Sequence, residues 1–342
     1  MNMKPTFYLI VIFVFFLRTK SQILGGKRAD RDKLKFLVFL QPAYSENGDE
    51  EHLKYKRCGG TIIHLNWVLT AAHCIVDYTE TNKENDEITI FSLYNVGLIS
   101  GTKNINDRYN ARRSNAVQTR TIPRDDVHKH PGYNPPRTIK NDIALLCLKI
   151  ALDESPTVEP AKLLKSKMGF DDNVNCVVSG WGHNRTRNRV VDGRITQKLE
   201  YVEESLPNRA RQGNVVLLRG GRCYKKYDFD EFDAEKQFCY GCSKGSCSST
   251  AAGDSGGPVV CGLSKKQDPM KYQYVFGVVS FGCKMLRLRC SPHAPNVATN
   301  VGTKKIEKWI RRTINPHVLT SDINLSAIAA ATIVGSICIY FL

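Results

Sequence analysis

Three short segments, far apart in the chain, carry side chains that together could break an acyl bond. The first is GDSGGP at 253–258. A serine hydroxyl is a poor nucleophile until a base takes its proton and donors stabilise the oxyanion that forms. Gly253 lets the backbone approach a substrate carbonyl, so the N–H groups of Gly253 and Ser255 can converge on one oxygen, and Gly256 and Gly257 keep the space beyond clear. Alone, the segment also reads as an ordinary glycine-rich turn. TAAHC at 70–74 offers the base: His73 follows an apolar strand and adjoins Cys74, and Cys58 stands sixteen residues before that cysteine. A bridge between the two would fix the histidine's segment. NDIALL at 141–146 sets Asp142 just ahead of a buried strand. A carboxylate there can hold the imidazole tautomer and stabilise the imidazolium, although an Asp in that place is more often a turn residue.

The elements that must position these groups are short β-branched runs separated by Gly, Asn and Pro. They include KFLVFL, GGTIIHLNWVLTAA, ITIFSLYNVGLI, NVNCVVSGWG, NVVLL and YQYVFGVVSFG. That pattern predicts an all-β barrel or sandwich protein. One segment, KKIEKWIRRTI, places Ile306, Trp309 and Ile310 at helical spacing and is ended by Asn315-Pro316. The basic stretches at 103–124 and 184–198 read as solvated connections, with polyanion binding as the lesser reading. Without an HExxH pair or a phosphate-cradling glycine loop, neither a metal nor a cofactor is expected.

Taken in the order His, Asp, Ser, the segments resemble the trypsin and chymotrypsin family of serine proteases. The resemblance runs over 23–314, through ILGG at 23, CGGTII at 58, TAAHC, HPGYN at 130, NDIALL, CVVSGWG at 176, GDSGGPVVC and SFG at 280. It implies two six-stranded antiparallel β-barrels, a C-terminal helix, and catalytic groups in the cleft between the barrels. By resemblance, Ser255 is the nucleophile, His73 the base and then acid, Asp142 the group that orients it, and Gly253 with Ser255 the oxyanion hole. Ser280 and Gly282 would pair with the substrate backbone, and Asp254 would meet the new ammonium of a chain cut before Ile23. Cys58–Cys74, Cys176–Cys261 and Cys223–Cys239 would be bridged.

Three departures from the family pattern bear on function. Gln22, rather than Arg or Lys, precedes Ile23, so trypsin-like activation would not produce the required terminus. Ser249 and Ala251 stand where members place a pocket-floor residue and a cysteine. Asn296 puts an amide where members usually have Gly. A floor without a carboxylate argues against Arg or Lys substrates and for aromatic or medium-sized uncharged ones. Cys242 or Cys247 is expected to pair with Cys283 or Cys290, and Cys147 to be a buried thiol.

The two ends and the charge complete the expectations. Residues 1–22 read as a secretory signal peptide, 315–324 as a linker, and the uncharged 325–342 as a GPI signal or a short membrane anchor, a buried helix being the plain alternative. Twelve cysteines and the sequons at Asn184 and Asn324 agree with an oxidising, secreted or cell-surface setting. The formal net charge of +16 attracts anionic partners. Expected partners are protein or peptide substrates, polyanionic surfaces and, through the tail, a membrane, with no specific nucleic acid. The expected function is an active, zymogen-derived serine endopeptidase. Its rival is a catalytically impaired homologue that uses the same fold to bind a partner.

Overall fold

Apolar runs interrupted every few residues by turn-formers leave the backbone one economical solution, strands paired antiparallel through short connections. The structure is a computed structural model describing Ile23 and residues 26–30, 32–82, 86–107, 116–135, 140–171, 173–183, 186–191, 194–201, 206–218, 232–242, 248–282 and 295–315. The signal peptide, Asn184, Asn324, the apolar tail and Cys223, Cys247, Cys283, Cys290 and Cys338 lie outside the described residues.

Two barrel-like sheets account for most of the chain. In the first, β2 (Leu37–Glu46), β4 (Cys58–His64), β5 (Trp67–Thr70), β7 (Ile88–Ser100), β8 (Gln118–Pro123) and β10 (Ala144–Cys147) carry the barrel. Three additions, β3 (Asp49–Tyr55), β6 (Tyr78–Thr81) and β9 (Val127–Lys129), raise it to nine strands. β5 and β10 are buried throughout and pair Leu145 opposite Leu69. In the second sheet, β14 (Arg211–Leu218), β11 (Asn175–Gly180), β16 (Pro258–Cys261), β17 (Tyr274–Phe281), β18 (Asn296–Asn300) and β15 (Gln237–Gly241) pair in that order, and β15 returns to β14. The result is a closed six-stranded ring with β1 (Lys27–Arg28) added at β14. The expected pair of six-stranded barrels is present, each extended by short strands.

The barrels meet through apolar and polar contacts. Phe39 of β2 packs edge-on against Trp181, which follows β11, with ring centroids 5.5 Å apart. The last element, α1 (Lys304–Ile314), is capped by Thr303, whose side chain accepts the Ile306 N–H at 3.2 Å. Ile306 and Ile310 are buried, and Trp309 lies 5.0 Å from the His130 ring. Among the described residues no helix is long and apolar enough to cross a membrane.

Two expectations about this frame are corrected. The basic stretches are not merely loops: Gln118–Pro123 is β8, paired with β7, and β12 (Thr186–Val191) with β13 (Arg194–Tyr201) forms a separate two-stranded hairpin. In QTRTIP exposed Thr119, Thr121 and Pro123 alternate with buried Gln118, half-buried Arg120 and buried Ile122, so period-two burial survives although a charged residue stands on the inner face. Cys147 is not a free thiol. It is buried at the end of β10 and disulfide-bonded, and its partner lies outside the described residues. The end of a strand is where the chain leaves the sheet, which puts its sulfur within reach of another segment.

Candidate active site

His73 sits on a short 3-10 turn, Ala72–Cys74, that follows the buried strand β5. Two links hold this turn. Cys58 at the start of β4 is bridged to Cys74, and the hydroxyl of buried Tyr44 donates to the Cys74 carbonyl at 2.6 Å. In the turn that leads into the neighbouring strand β10, Asn141 adopts φ +57°, a left-handed conformation that Asn tolerates, and donates its side-chain amide to the Gly132 carbonyl at 3.2 Å. That turn delivers Asp142 to His73.

The Asp142 carboxylate grips His73 at two points. Oδ2 lies 2.7 Å from the ring Nδ1, and Oδ1 accepts the His73 backbone N–H at 2.8 Å. The Ser280 hydroxyl also donates to Oδ2, and Thr299 donates to the Asp142 carbonyl at 2.8 Å. Two elements of the second barrel thus hold an acid of the first. Burial opposes charge on both partners but does not win. Burial pulls the imidazole down, while the charge and hydrogen bond of Asp142 outweigh it, so the His73 pKa stands above its ordinary 6.5. Burial likewise pushes Asp142 up, but the imidazole and the bonds from His73 and Ser280 bring it below the usual carboxylate value. A third of the imidazole remains exposed.

Ser255 lies on a tight loop that the glycines make possible. Gly253 and Gly256 take φ +97° and +80°. A Cβ on Gly256 would stand 2.2 Å from Thr70 Oγ1 and 2.4 Å from the Gly59 carbonyl. The Gly59 N–H donates to the Ser255 carbonyl at 2.7 Å, pinning the loop of one barrel to β4 of the other. Among the described residues no hydrogen bond joins His73 Nε2 to Ser255 Oγ.

Asp254 turns inward and is fully buried. Its carboxylate accepts the N–H groups of Gly182 and Ala251 at 2.8 and 2.9 Å. Burial raises its pKa to about 6, against the pull of those two amides. Ile23 is buried beside Gly213 at φ +34°, and no ion pair between Ile23 and Asp254 occurs among the described residues. In the uncut chain its nitrogen is an amide and carries no charge.

Ser249 and Asn296, expected in the pocket, come together. Asn296 Nδ2 donates to Ser249 Oγ at 2.8 Å, and both residues are buried. A Cβ on Gly282 would lie 2.4 Å from Asn296 Oδ1, so the amide fills the space beside that glycine. The pair thus presents hydroxyl and amide groups. Tyr240 and Thr250, 2.7 Å apart through their hydroxyls, extend this buried polar layer.

The bridges Cys58–Cys74 and Cys176–Cys261 are formed. Cys239 and Cys242 are each disulfide-bonded, with partners outside the described residues. Their C-x-x-C spacing would suit a metal, but disulfide sulfurs carry no thiolate for one.

Sequence reasoning passed over Tyr44, Thr299 and Lys56. The Lys56 ammonium lies 3.0 Å from the centroid of the Tyr78 ring and 4.9 Å from that of Tyr44. Burial lowers its pKa to about 8, and its charge opposes protonation of His73. Only its place two residues before Cys58 hinted at this.

Comparison with known proteins agrees with this frame. The family model described as Trypsin matches residues 23–310. Granzyme M of Rattus norvegicus is 28% identical over 308 residues, spanning 89% of this chain and 94% of the granzyme. Cathepsin G of Homo sapiens is 28% identical over 314 residues, spanning 91% and 96%. Among solved structures, neuropsin, titled a serine protease expressed in the limbic system of mouse brain, shares the fold. Its TM-score is 0.56 at 22% identity, over 85% of this chain and 99% of that one.

Proposed function

The chain belongs to the trypsin family of serine proteases, and we propose that it is a serine endopeptidase acting through Ser255, His73 and Asp142. The single observation that supports this most is the two-point grip of Asp142 on His73, which leaves the imidazole one orientation and one tautomer. Ser255 Oγ attacks the scissile carbonyl while His73 Nε2 takes its proton. The N–H groups of Gly253 and Ser255 receive the oxyanion, and His73 then gives the proton to the leaving amine. Water, activated by the same imidazole, attacks the acyl-serine and restores the hydroxyl. The His73–Ser255 hydrogen bond closes when substrate excludes solvent, as catalytic hydrogen bonds commonly tighten in the substrate complex.

Ser280 and Gly282, at the end of β17 and just beyond it, present backbone groups with which substrate pairs as an added strand. The side chain preceding the cut bond enters a pocket floored by Ser249 and narrowed by Asn296, which suits uncharged groups. No carboxylate there balances a buried cation. The active form begins at Ile23. A positive φ is costly for a β-branched residue, and cutting the bond before Ile23 removes the constraint that defines that angle. The freed ammonium can then neutralise Asp254. The bridged cysteines suit export through an oxidising compartment to a secreted or cell-surface site.

The second reading, a non-catalytic binding homologue, is favoured by the absence of a His73–Ser255 hydrogen bond among the described residues. A peptide-library cleavage profile of protein starting at Ile23, beside Ser255→Ala, separates the two. Cleavage after uncharged residues, lost in the variant, is expected. No cleavage by either protein supports the binding reading, and dominant cleavage after Arg or Lys refutes the pocket assignment.

A further inference from the structure

Away from the proposed catalytic groups, a cavity of about 550 Å³ opens where the first residues of the domain meet the turn after β16. Four lysines line it: Lys27 and Lys33 from the N-terminal segment, Lys265 and Lys266 from the turn. All four are exposed, and none has an ion-pair partner among the described residues, although Asp30 and Asp268 line the same cavity. Ammonium groups gathered without partners raise the local potential, and an anion relieves it.

On both rims the backbone that carries the lysines is held in place. On one side Ala29 N–H donates to the Ala210 carbonyl at 3.0 Å, Asp30 N–H donates to Gln212 Oε1 at 2.6 Å, and Leu34 is fully buried. On the other, Lys265 N–H donates to Asp171 Oδ2 at 3.1 Å, and Gln267 folds back to accept the Leu263 N–H at 2.7 Å. Asp268 Oδ1 accepts the Met270 N–H at 2.8 Å. Mobile lysine stems on rigid backbone can converge on a multiply charged ligand with little backbone ordering to undo the gain.

The lining selects among anions. It contains no aromatic residue, so nothing offers the stacking surface that single-stranded nucleic acid uses. It contains two carboxylates, Asp30 and Asp268, which accept hydrogen bonds from the hydroxyl groups of a sugar, donors that ionised acidic side chains lack. A ligand that carries both anionic groups and hydroxyls satisfies both parts. We propose that this cavity is a binding site for a sulfated oligosaccharide, independent of whether the chain cuts peptides. The basic stretches that drew attention in the sequence do not form it.

The test is calorimetric titration of the folded, bridged protein with a heparin hexasaccharide at low and physiological salt. Lys27→Gln/Lys33→Gln and Lys265→Gln/Lys266→Gln should each weaken binding on the order of tenfold. The control Lys304→Gln/Lys308→Gln removes the same charge from the exposed side of α1 and should leave binding within about twofold. Equal losses in all three variants would mean that net charge alone attracts the sugar, and no loss in any would exclude the cavity; either result overturns the proposal. Tighter binding of a single-stranded oligonucleotide or a poly-Glu peptide, sensitive to the same lysines, overturns the choice of ligand. Matching melting temperatures for the variants exclude misfolding as the cause.

Discussion

At the scale of the residue, the proposed mechanism requires a neutral imidazole to accept a proton from serine. Because Asp142 holds the His73 pKa above 6.5, activity should be lost as pH falls through that raised value, and kcat/KM against pH should show its acid midpoint above 6.5. Lys56→Met removes an ammonium that opposes protonation, so the midpoint should move upward, on the order of 0.3 pH unit. A downward move would show that Lys56 does not act on His73 through its charge. Asp142→Asn should lower kcat about 10⁴-fold, a magnitude carried over from the family's triad template rather than obtained from these distances. His73, Asp142 and Ser255 were legible because each stands in a short motif with its neighbours. Lys56 was not, because a lysine's influence depends on what its flexible stem packs against, here Tyr78 and Tyr44.

At the scale of the element, strands and turns convert those residues into a site. The Cys58–Cys74 bridge closes a loop of about sixteen residues around β4 and β5, so Cys58→Ala/Cys74→Ala should cost roughly 3 kcal/mol in denaturant unfolding. A loss below about 1 kcal/mol would assign the hold on His73 to Tyr44 instead. In the pocket, Asn296→Gly removes the amide beside Gly282 and should shift the cleavage profile towards larger side chains at unchanged Ser255 reactivity. An unchanged profile would place the specificity elsewhere. The apolar runs that became β2, β5, β10 and β17 were readable from β-branched patterning. β8 and the β12–β13 hairpin were not, because charged residues interrupt their apolar positions, and β1 (KR), β6 (YTET) and β9 (VHK) contain no apolar run to read.

At the scale of the whole molecule, function depends on how the two barrels are locked together. The links are Gly59 to Ser255 and Ser280 and Thr299 to Asp142, while inside the second barrel Asp254 is the sensitive point, since its pKa of about 6 lies above the ordinary 3.8. The folded, uncut chain therefore binds that proton more tightly than the unfolded chain does. The contribution of Asp254 to stability is fullest below about pH 4 and falls, by on the order of 3 kcal/mol, as pH rises through 6. Protein starting at Ile23 places an ammonium nearby and should not show that fall. Equal profiles for the two forms would remove Asp254 from activation. The barrel pair followed from the order of motifs, whereas the lysine-lined cavity depends on segments more than two hundred residues apart in sequence, as Lys27 and Lys266 are. The most direct measurement is the reaction of protein starting at Ile23 with a fluorophosphonate, which modifies a serine only where the first barrel's imidazole reaches the second barrel's hydroxyl. One label per molecule, on Ser255 and absent from both Ser255→Ala and His73→Ala, is the expected result. Intact, folded protein with the Ile23 terminus that takes up no label would contradict the assembly of these groups into a working site.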